Sequence, residues 1–275
     1  MGGGGIWRDA ATYFHPASGK TYAYVGAQVR VLLQRMSFFI FRYAANPKTY
    51  NFAFYQGTDG GGTPYAWVVD LSYLSGSTAH GANSNPIPSA GYANIGMSDQ
   101  GHTVNVGHGL LFLNTARSAD GCMVYDLTGN PRSPKFLFKT GGSSGRDCHD
   151  SFVRQINGKT ILFVSDGSGR RETLYDITNV NANWPVNTRP PQIGLTGQVG
   201  GIYAHSCWLS QDNRYLFEFD EGNAVDIIVH DVSNLSSPVQ ITQFQYSEET
   251  STNALPHNGE IRGNYLIGEL VLSNY

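Results

Sequence analysis

Charge is the first thing this sequence has little of. Only 14% of its 275 residues are Asp, Glu, Lys or Arg, against about 25% in an ordinary globular chain. Charge-rich amphipathic helices are hard to build from such a composition. Eighteen basic residues against 21 acidic ones leave a net charge of −3. That gives no basic field to neutralise phosphates, so no nucleic acid is expected as a partner. Cysteine is scarce as well: Cys122, Cys148 and Cys207 are the only three, and no pair has CxxC spacing. A zinc ribbon and a thioredoxin-like motif are excluded. Two readings of the thiols stand, one Cys148–Cys207 bridge beside the repeat histidines or three buried free thiols. Long apolar runs are missing too. The most apolar window, Val29 to Phe41, is broken by Arg30, Gln34 and Arg35, so no transmembrane segment is expected. Met1 and Gly2 to Gly5 lack the basic and apolar regions of a signal peptide, and Ile6 stands where a myristoylation signal needs Ser or Thr.

What is present points to strands. Hydrophobic residues make up 40% of the chain, enough for a sizeable core, and aromatics make up 12%. Thirty-three residues are glycine, well above the usual ~7%. Short aromatic-rich strands punctuated by glycine turns fit this composition.

A phrase of apolar residues, Asp, an apolar residue and Ser or Thr recurs four times. It runs as Val68-Val69-Asp70-Leu71-Ser72, Val124-Tyr125-Asp126-Leu127-Thr128, Leu174-Tyr175-Asp176-Ile177-Thr178 and Val229-His230-Asp231-Val232-Ser233. The aspartates are 56, 50 and 55 residues apart, and a second marker keeps the same period: His102, His149, His205 and His257, spaced by 47, 56 and 52. Within one period lie about four short strands. After His205, for example, come Cys207-Trp208-Leu209, Tyr215 to Phe219, Ile227 to Val232 and Val239 to Phe244. Four strands per ~50 residues is the footprint of a β-propeller blade. Such a sheet cannot bury both faces alone, so blades must stack. No stretch shows a capped 3.6-residue apolar period. The expected fold class is therefore all-β, a propeller of four-stranded blades, with residues 1–275 as a single domain. Each recurring Asp is expected to cap the turn after its strand, helped by the Ser or Thr.

These phrases resemble a known family. The Asp-Leu/Ile/Val-Ser/Thr strand ends followed by Pro131, Pro134, Pro185 or Pro238 resemble the LVIVD repeat. Trp7-Arg8-Asp9, His149-Asp150, His205 with Trp208 to Tyr215, and Pro256-His257-Asn258 resemble blade openings of choice-of-anchor B propeller proteins. The resemblance covers nearly the whole chain except one insert. It implies an extracellular or cell-surface propeller, and no established reaction. About five blades are represented, and the resemblance implies that the first and last are missing. WD40 fits less well, because no Gly-His and Trp-Asp pair closes each repeat.

The insert is Val29 to Gln56, 28 residues with Arg30, Arg35, Arg42 and Lys48 and no acidic residue. It reads as a retained intron, since Val29 can begin with GT, Gln56 can be CAG and 28 codons keep frame. The other reading is a real basic-aromatic insertion loop, suited to membrane contact.

If each repeat histidine opens an innermost strand, then His102, His149, His205 and His257 stand at the mouth of a central channel, with Asp9 at the matching place in the first repeat. Imidazoles and a carboxylate could bind a divalent transition metal there, and an open coordination position could activate water. The competing reading has each histidine donating to a neighbouring blade's carbonyl. Glu218, Asp220, Glu221 and Asp226 read as a solvated acidic loop, with calcium as the sharper alternative. His15, His80, His108 and His230 fall off the repeat phase and are expected on the surface or in turns. Gly141 to Arg146 lacks the ending of a phosphate loop, no nucleophile elbow occurs, and no pair of opposed glycosidase carboxylates can be singled out. Asn234-Leu235-Ser236 is a glycosylation sequon. The leading expectation is a binding scaffold for a protein or carbohydrate partner, and the alternative is a metal-dependent enzyme.

Overall fold

The computed structural model describes residues 7–27, 37–40, 51–54, 65–71, 90, 92–96, 102–114, 121–141, 148–197, 203–221, 227–244 and 254–272. Among these the chain is strand and turn, with no α-helix. β1 (Trp7–His15) and β2 (Lys20–Ala27) come first, and β3 (Ser37–Ile40) pairs with β4 (Asn51–Phe54) in a hairpin of its own. β5 (Tyr65–Asp70) and β6 (Tyr92–Gly96) complete a four-stranded sheet ordered β1-β2-β5-β6. The second sheet takes β7 (Val104–Gly107), β8 (Leu110–Leu113), β9 (Met123–Asp126) and β10 (Lys135–Lys139) in sequence order. The third takes β11 (Asp150–Ile156), β12 (Lys159–Ser165), β13 (Glu172–Asp176) and β14 (Gln192–Leu195). The fourth takes β15 (Ala204–Leu209), β16 (Tyr215–Asp220), β17 (Ile227–Asp231) and β18 (Val239–Phe244). A last hairpin pairs β19 (Ala254–Arg262) with β20 (Tyr265–Leu272). Four up-and-down sheets of four strands, one per sequence period, are the propeller blades expected from the repeat. The chain divides into two compact units, residues 1–113 with 124–136 and residues 114–123 with 137–275.

Burial differs from strand to strand. β12 has the unbroken apolar run Ile161 to Val164, and all four residues are buried. Such a run marks a strand covered on both faces. β18 alternates Val239, Ile241 and Phe244 with polar residues and is exposed along its whole length. The fourth strands differ among blades: β18 faces solvent, whereas β10 buries Leu137 and Phe138 completely.

The hairpin turns show how local chemistry sets register. Asn157 and Gly158 both have positive φ, 51° and 78°, and Ile156 pairs directly with Lys159. This is a two-residue type I′ turn, whose twist matches antiparallel strands and which Asn-Gly adopts readily. His108 and Gly109 make the same turn between β7 and β8.

In the second unit the blades stack through their side chains. Ile161, Phe163 and Leu174 of the third sheet meet Cys207, Leu209, Leu216 and Val232 of the next in one buried cluster. Burying each large side chain is worth about 1.5–3 kcal/mol. The last hairpin packs on the fourth blade so closely that a Cβ on Gly259 would run into the ring of Phe219. In the first unit, the Tyr24 hydroxyl donates to Pro131 O at 3.0 Å. His15 accepts from Ser18 N–H at Nδ1 and donates from Nε2 to Thr128 O at 2.9 Å. His15 is therefore buried between strands and not at the surface as its phase suggested.

Asp126, Asp176 and Asp231 bond the Ser or Thr of the following turn as the repeat implies, whereas Asp70 is bonded by Lys20 and Ser72 lies outside the described residues. Asp176 Oδ1 accepts from Thr178 N–H at 3.0 Å and its hydroxyl at 2.5 Å, and Asp231 Oδ1 accepts from Ser233 at 2.9 and 2.5 Å. Thr128 donates to Asp126 at 2.8 Å, and Lys20 to Asp70 at 2.7 Å. The carboxylate satisfies donors left at the strand end. Asp176 is held below the usual carboxylate range: partial burial pushes it up, but the Thr178 donors and Lys159 outweigh that.

Within Val29–Gln56 only the β3–β4 hairpin is described, and the rest of that segment lies outside the described residues. On either side the ladder is continuous, from Tyr22 opposite Asp70 to Ala27 opposite Tyr65.

Candidate metal centre

Three of the four repeat histidines come together. In the second unit β11, β15 and β19 are the first strands of successive sheets, and His149, His205 and His257 sit at their heads. The His149 and His205 rings lie 3.9 Å apart between centroids, and His205 and His257 also 3.9 Å. Tyr203 closes the column edge-on, 5.2 Å from His149 at 87°.

The backbone explains why these rings line up. β15 pairs Ala204 with Asp220 and then Ser206 with Phe219, so His205 is the extra residue of a bulge. β19 shows the same irregularity between Pro256 and Gly259, where His257 and Asn258 face a single partner residue. A bulge leaves the extra residue out of the ladder and re-aims its side chain. The head of β15 is tied to the preceding blade by a two-way bridge, with Gly167 N–H to Ala204 O at 3.1 Å and Ala204 N–H to Gly167 O at 3.0 Å. His149 is fixed by its own N–H, which donates to Ser165 O at 2.9 Å. Ser206 Oγ donates to His257 O at 3.0 Å and joins the fourth blade to the last hairpin.

Hydrogen bonding assigns one tautomer. His149 Nδ1 lies 3.0 Å from His205 O, and a carbonyl only accepts, so Nδ1 carries the proton and Nε2 the lone pair. Ligand histidines in proteins are held this way, with the second nitrogen donating to a backbone carbonyl. It is also the blade-to-blade bond of the competing structural reading, so one interaction serves both.

The carboxylate at this head is Glu221. Its N–H donates to Tyr203 O at 2.9 Å, which sets it beside the start of β15, and its Oε2 stands 3.8 Å from His205 Nε2. One ligand atom from each of His149, His205 and Glu221 lies within 4.8 Å of the others. Tetrahedral zinc with bonds of about 2.0–2.1 Å would hold neighbouring ligand atoms about 3.3–3.4 Å apart, so the 3.8 Å between His205 Nε2 and Glu221 Oε2 would have to shorten on loading. Glu221 is the part able to move, being about one third exposed while the two histidines are nearly fully buried.

The sequence reading of this region needs two corrections. Glu218 and Asp220 are not in a solvated acidic loop but buried in β16. Asp220 accepts from Tyr203 N–H at 3.0 Å, and Asp226 lies outside the described residues. His230 is not a surface residue: it has no exposure, and its Nε2 is 3.0 Å from Glu218 Oε2. The three thiols are free and buried, which settles the open question against a Cys148–Cys207 bridge. His102 is buried ahead of β7 in the first unit. Asp9 lies on β1 of that unit, just past a bulge between Trp7 and Asp9, and its side chain is outside the described residues. His80 and most of Gly141–Arg146 are also outside them, whereas His108 is an exposed turn residue as expected.

Beneath the histidine head lies a buried polar group that the repeat did not announce. Ser165 donates to Glu172 Oε2 at 3.0 Å, and Cys207 hydrogen-bonds the same carboxyl. Burial pushes Glu172 well above the usual carboxylate range, and the nearby Glu218 pushes it further. Burial likewise raises the Cys207 thiol, with Glu172 next in weight. Register alone could have suggested this, because Glu172 opposes Ser165 and Glu218 opposes Cys207.

No protein-family model matches the chain, and no curated protein matches it at a significant level. Among solved structures it is similar to dihydro-heme d1 dehydrogenase NirN in complex with DHE, at 11% identity and TM-score 0.48. That match covers 91% of this chain and 50% of the other, so this chain spans about half of that protein. It is also similar to the Cps50 (Swd1) beta-propeller domain of Myceliophteria thermophila, at 11% identity and TM-score 0.46, covering 98% and 81% respectively. Among the described residues no helix is long and apolar enough to cross a membrane.

Proposed function

We propose that this protein is an extracellular or cell-surface propeller of the LVIVD, choice-of-anchor B type that acts as a binding scaffold and holds a divalent transition metal through His149, His205 and Glu221. The observation that carries the metal assignment is the convergence of those three ligand atoms within 4.8 Å. Two imidazoles and one carboxylate suit zinc, copper, nickel or iron(II) better than calcium, which prefers oxygen ligands. His257, stacked on His205, is the candidate fourth donor. His102 and Asp9, the other residues of the expected histidine-and-carboxylate set, lie in the other unit. Family and location rest on the Asp-x-Ser/Thr strand ends and the phased histidines. The Val29–Gln56 segment is taken as a retained intron, supported by the unbroken β2–β5 ladder around it. Spliced transcripts joining codons 28 and 57 test that point.

A second reading is a metal-dependent enzyme. It is favoured by the convergence of three ligand atoms without His257, which leaves the fourth position open to a water that could be activated. Full-length protein stripped with a chelator and titrated with Zn2+, Cu2+ and Ni2+ tests the metal site. Saturable binding at one equivalent, lost in His149→Ala and His205→Ala, supports it. A folded protein that binds none of the three ions ends both metal readings and leaves the scaffold alone.

A further inference from the structure

A second cavity lies at the opposite end of the same strands. β15 is six residues long, about 20 Å, with His205 at its head and Ser210 just beyond its foot. At this foot the β15–β16 turn meets the β19–β20 turn around a cavity of about 550 Å³. That volume lies within the usual range for small-ligand sites.

The lining has two kinds of surface. Tyr215, Phe244 and Tyr265 supply aromatic rings, while Gln211, Asp212 and Asn264 supply amide and carboxylate groups. Tyr265 is 75% exposed and Phe244 40%. Leaving rings this open gains nothing for folding. The polar side is held in place before any ligand arrives. Asp212 Oδ1 accepts from Ser210 Oγ at 2.5 Å and from Arg214 N–H at 3.1 Å. Asn213 is locked at a φ of 60° and accepts from Arg154 Nε at 2.9 Å. The Ser210 hydroxyl, then the Arg214 N–H, keep the Asp212 carboxyl below its usual range, so it is an acceptor at neutral pH.

Among the described residues no Lys or Arg lines the cavity. Two cations flank the lining in sequence: Arg214 is drawn to Asp231 at 3.2 Å and lies over the Tyr215 ring at 5.1 Å, and Arg262, between Ile261 and Gly263, is paired with Glu260 at 2.8 Å. An anionic ligand would meet the Asp212 carboxylate, while both flanking arginines are already paired with carboxylates. A purely apolar ligand would strand the amides and the carboxylate without partners. The chemistry that fits both surfaces is a flat C–H face bordered by hydroxyl pairs. The face lies on an aromatic ring, and the hydroxyls donate to Asp212 and exchange hydrogen bonds with Gln211 and Asn264. We propose that this foot cavity binds a neutral oligosaccharide, with Tyr265 as the stacking platform.

The site is separate from the histidine head, so the two are tested independently. Full-length protein is titrated with cellohexaose, maltohexaose, mannohexaose, xylohexaose and chitohexaose, with oligogalacturonate as the anionic control, by calorimetry and saturation-transfer NMR. The expected result is saturable binding of at least one neutral oligomer, unchanged by a chelator and weakened about tenfold in Tyr265→Ala. Gln211→Ala provides a second variant outside the aromatic platform and is expected to weaken the same oligomer. The proposal is overturned if no neutral oligomer binds, if oligogalacturonate binds better, or if both folded variants bind as the parent does.

Discussion

The two ends of β15 and β19 carry the same repeat yet differ in kind. At the head a bulge in each strand turns a histidine into a stacked column, and the backbone bonds between Gly167 and Ala204, with the Ser206 hydroxyl to His257 O, tie neighbouring blades together. His149 and His205 are nearly fully buried there. At the foot the turns stand apart, Tyr265 is mostly exposed and the hydrogen bonds stay largely within one turn. Both ends rest on one inter-blade core. A propeller unit can thus hold a rigid, polar, preorganised site at one end while the other end varies freely, because loop residues contribute little to the packing that keeps blades together.

Removing the shared core should break both ends together. Phe163 is fully buried in the cluster between the third and fourth blades, so Phe163→Ala is expected to cost about 3–5 kcal/mol. Chemical denaturation measures this, and metal and sugar binding should fail in parallel as the fold weakens. An effect confined to one end would mean that the ends do not share their support.

A smaller change should single out the contact between the fourth blade and the last hairpin. Gly259 has no room for a Cβ against Phe219, and Gly259→Ala is expected to destabilise by about 1–3 kcal/mol. Its loss should reach the foot cavity, which the hairpin helps to form, more than His149. Chemical-shift changes on either side of β15 separate these outcomes.

The buried acid beneath the head gives a pH signature. Glu172 has its folded pKa raised above the unfolded value of about 4.3. Between those two values the folded chain holds more protons than the unfolded one, so stability falls as pH rises through that window. Glu172→Gln removes that contribution. Its Tm advantage over the parent should be smallest near pH 4 and grow towards pH 8, as thermal unfolding across pH would show. A flat difference would mean that the carboxyl is ionised in the fold.

Much of this architecture was legible in the chain, for a physical reason. Strand ends need a cap, and the Asp-x-Ser/Thr phrase is a local device whose spacing records blade size. The histidine phase was legible on the same grounds, since His149, His205 and His257 open equivalent strands. What period and phase could not supply is the direction of side chains at irregular positions. The bulges at His205 and His257 depend on how two strands pair, which only the sheet determines. Burial of polar groups was equally hidden. Glu218 and Asp220 look like a solvated acidic turn, yet they alternate with partners supplied from distant positions, Glu218 with His230 and Asp220 with the Tyr203 backbone. His15 escaped for the same reason, because its carbonyl partner, Thr128, is 113 residues away.

The smallest expected effect sharpens the contrast from the other side. Tyr265→Ala should change stability by no more than about 0.5 kcal/mol, as for other surface substitutions, although it weakens sugar binding. Denaturant midpoints measured alongside those of Gly259→Ala check this; a loss as large as that of Gly259→Ala would make Tyr265 a packing residue.

The account turns most directly on where a metal ion sits. Crystals soaked in zinc and measured at its absorption edge should show one anomalous peak bonded to His149 Nε2, His205 and Glu221, with Glu221 drawn inward. A peak at another set of side chains, or none at this head at full occupancy elsewhere, would contradict it.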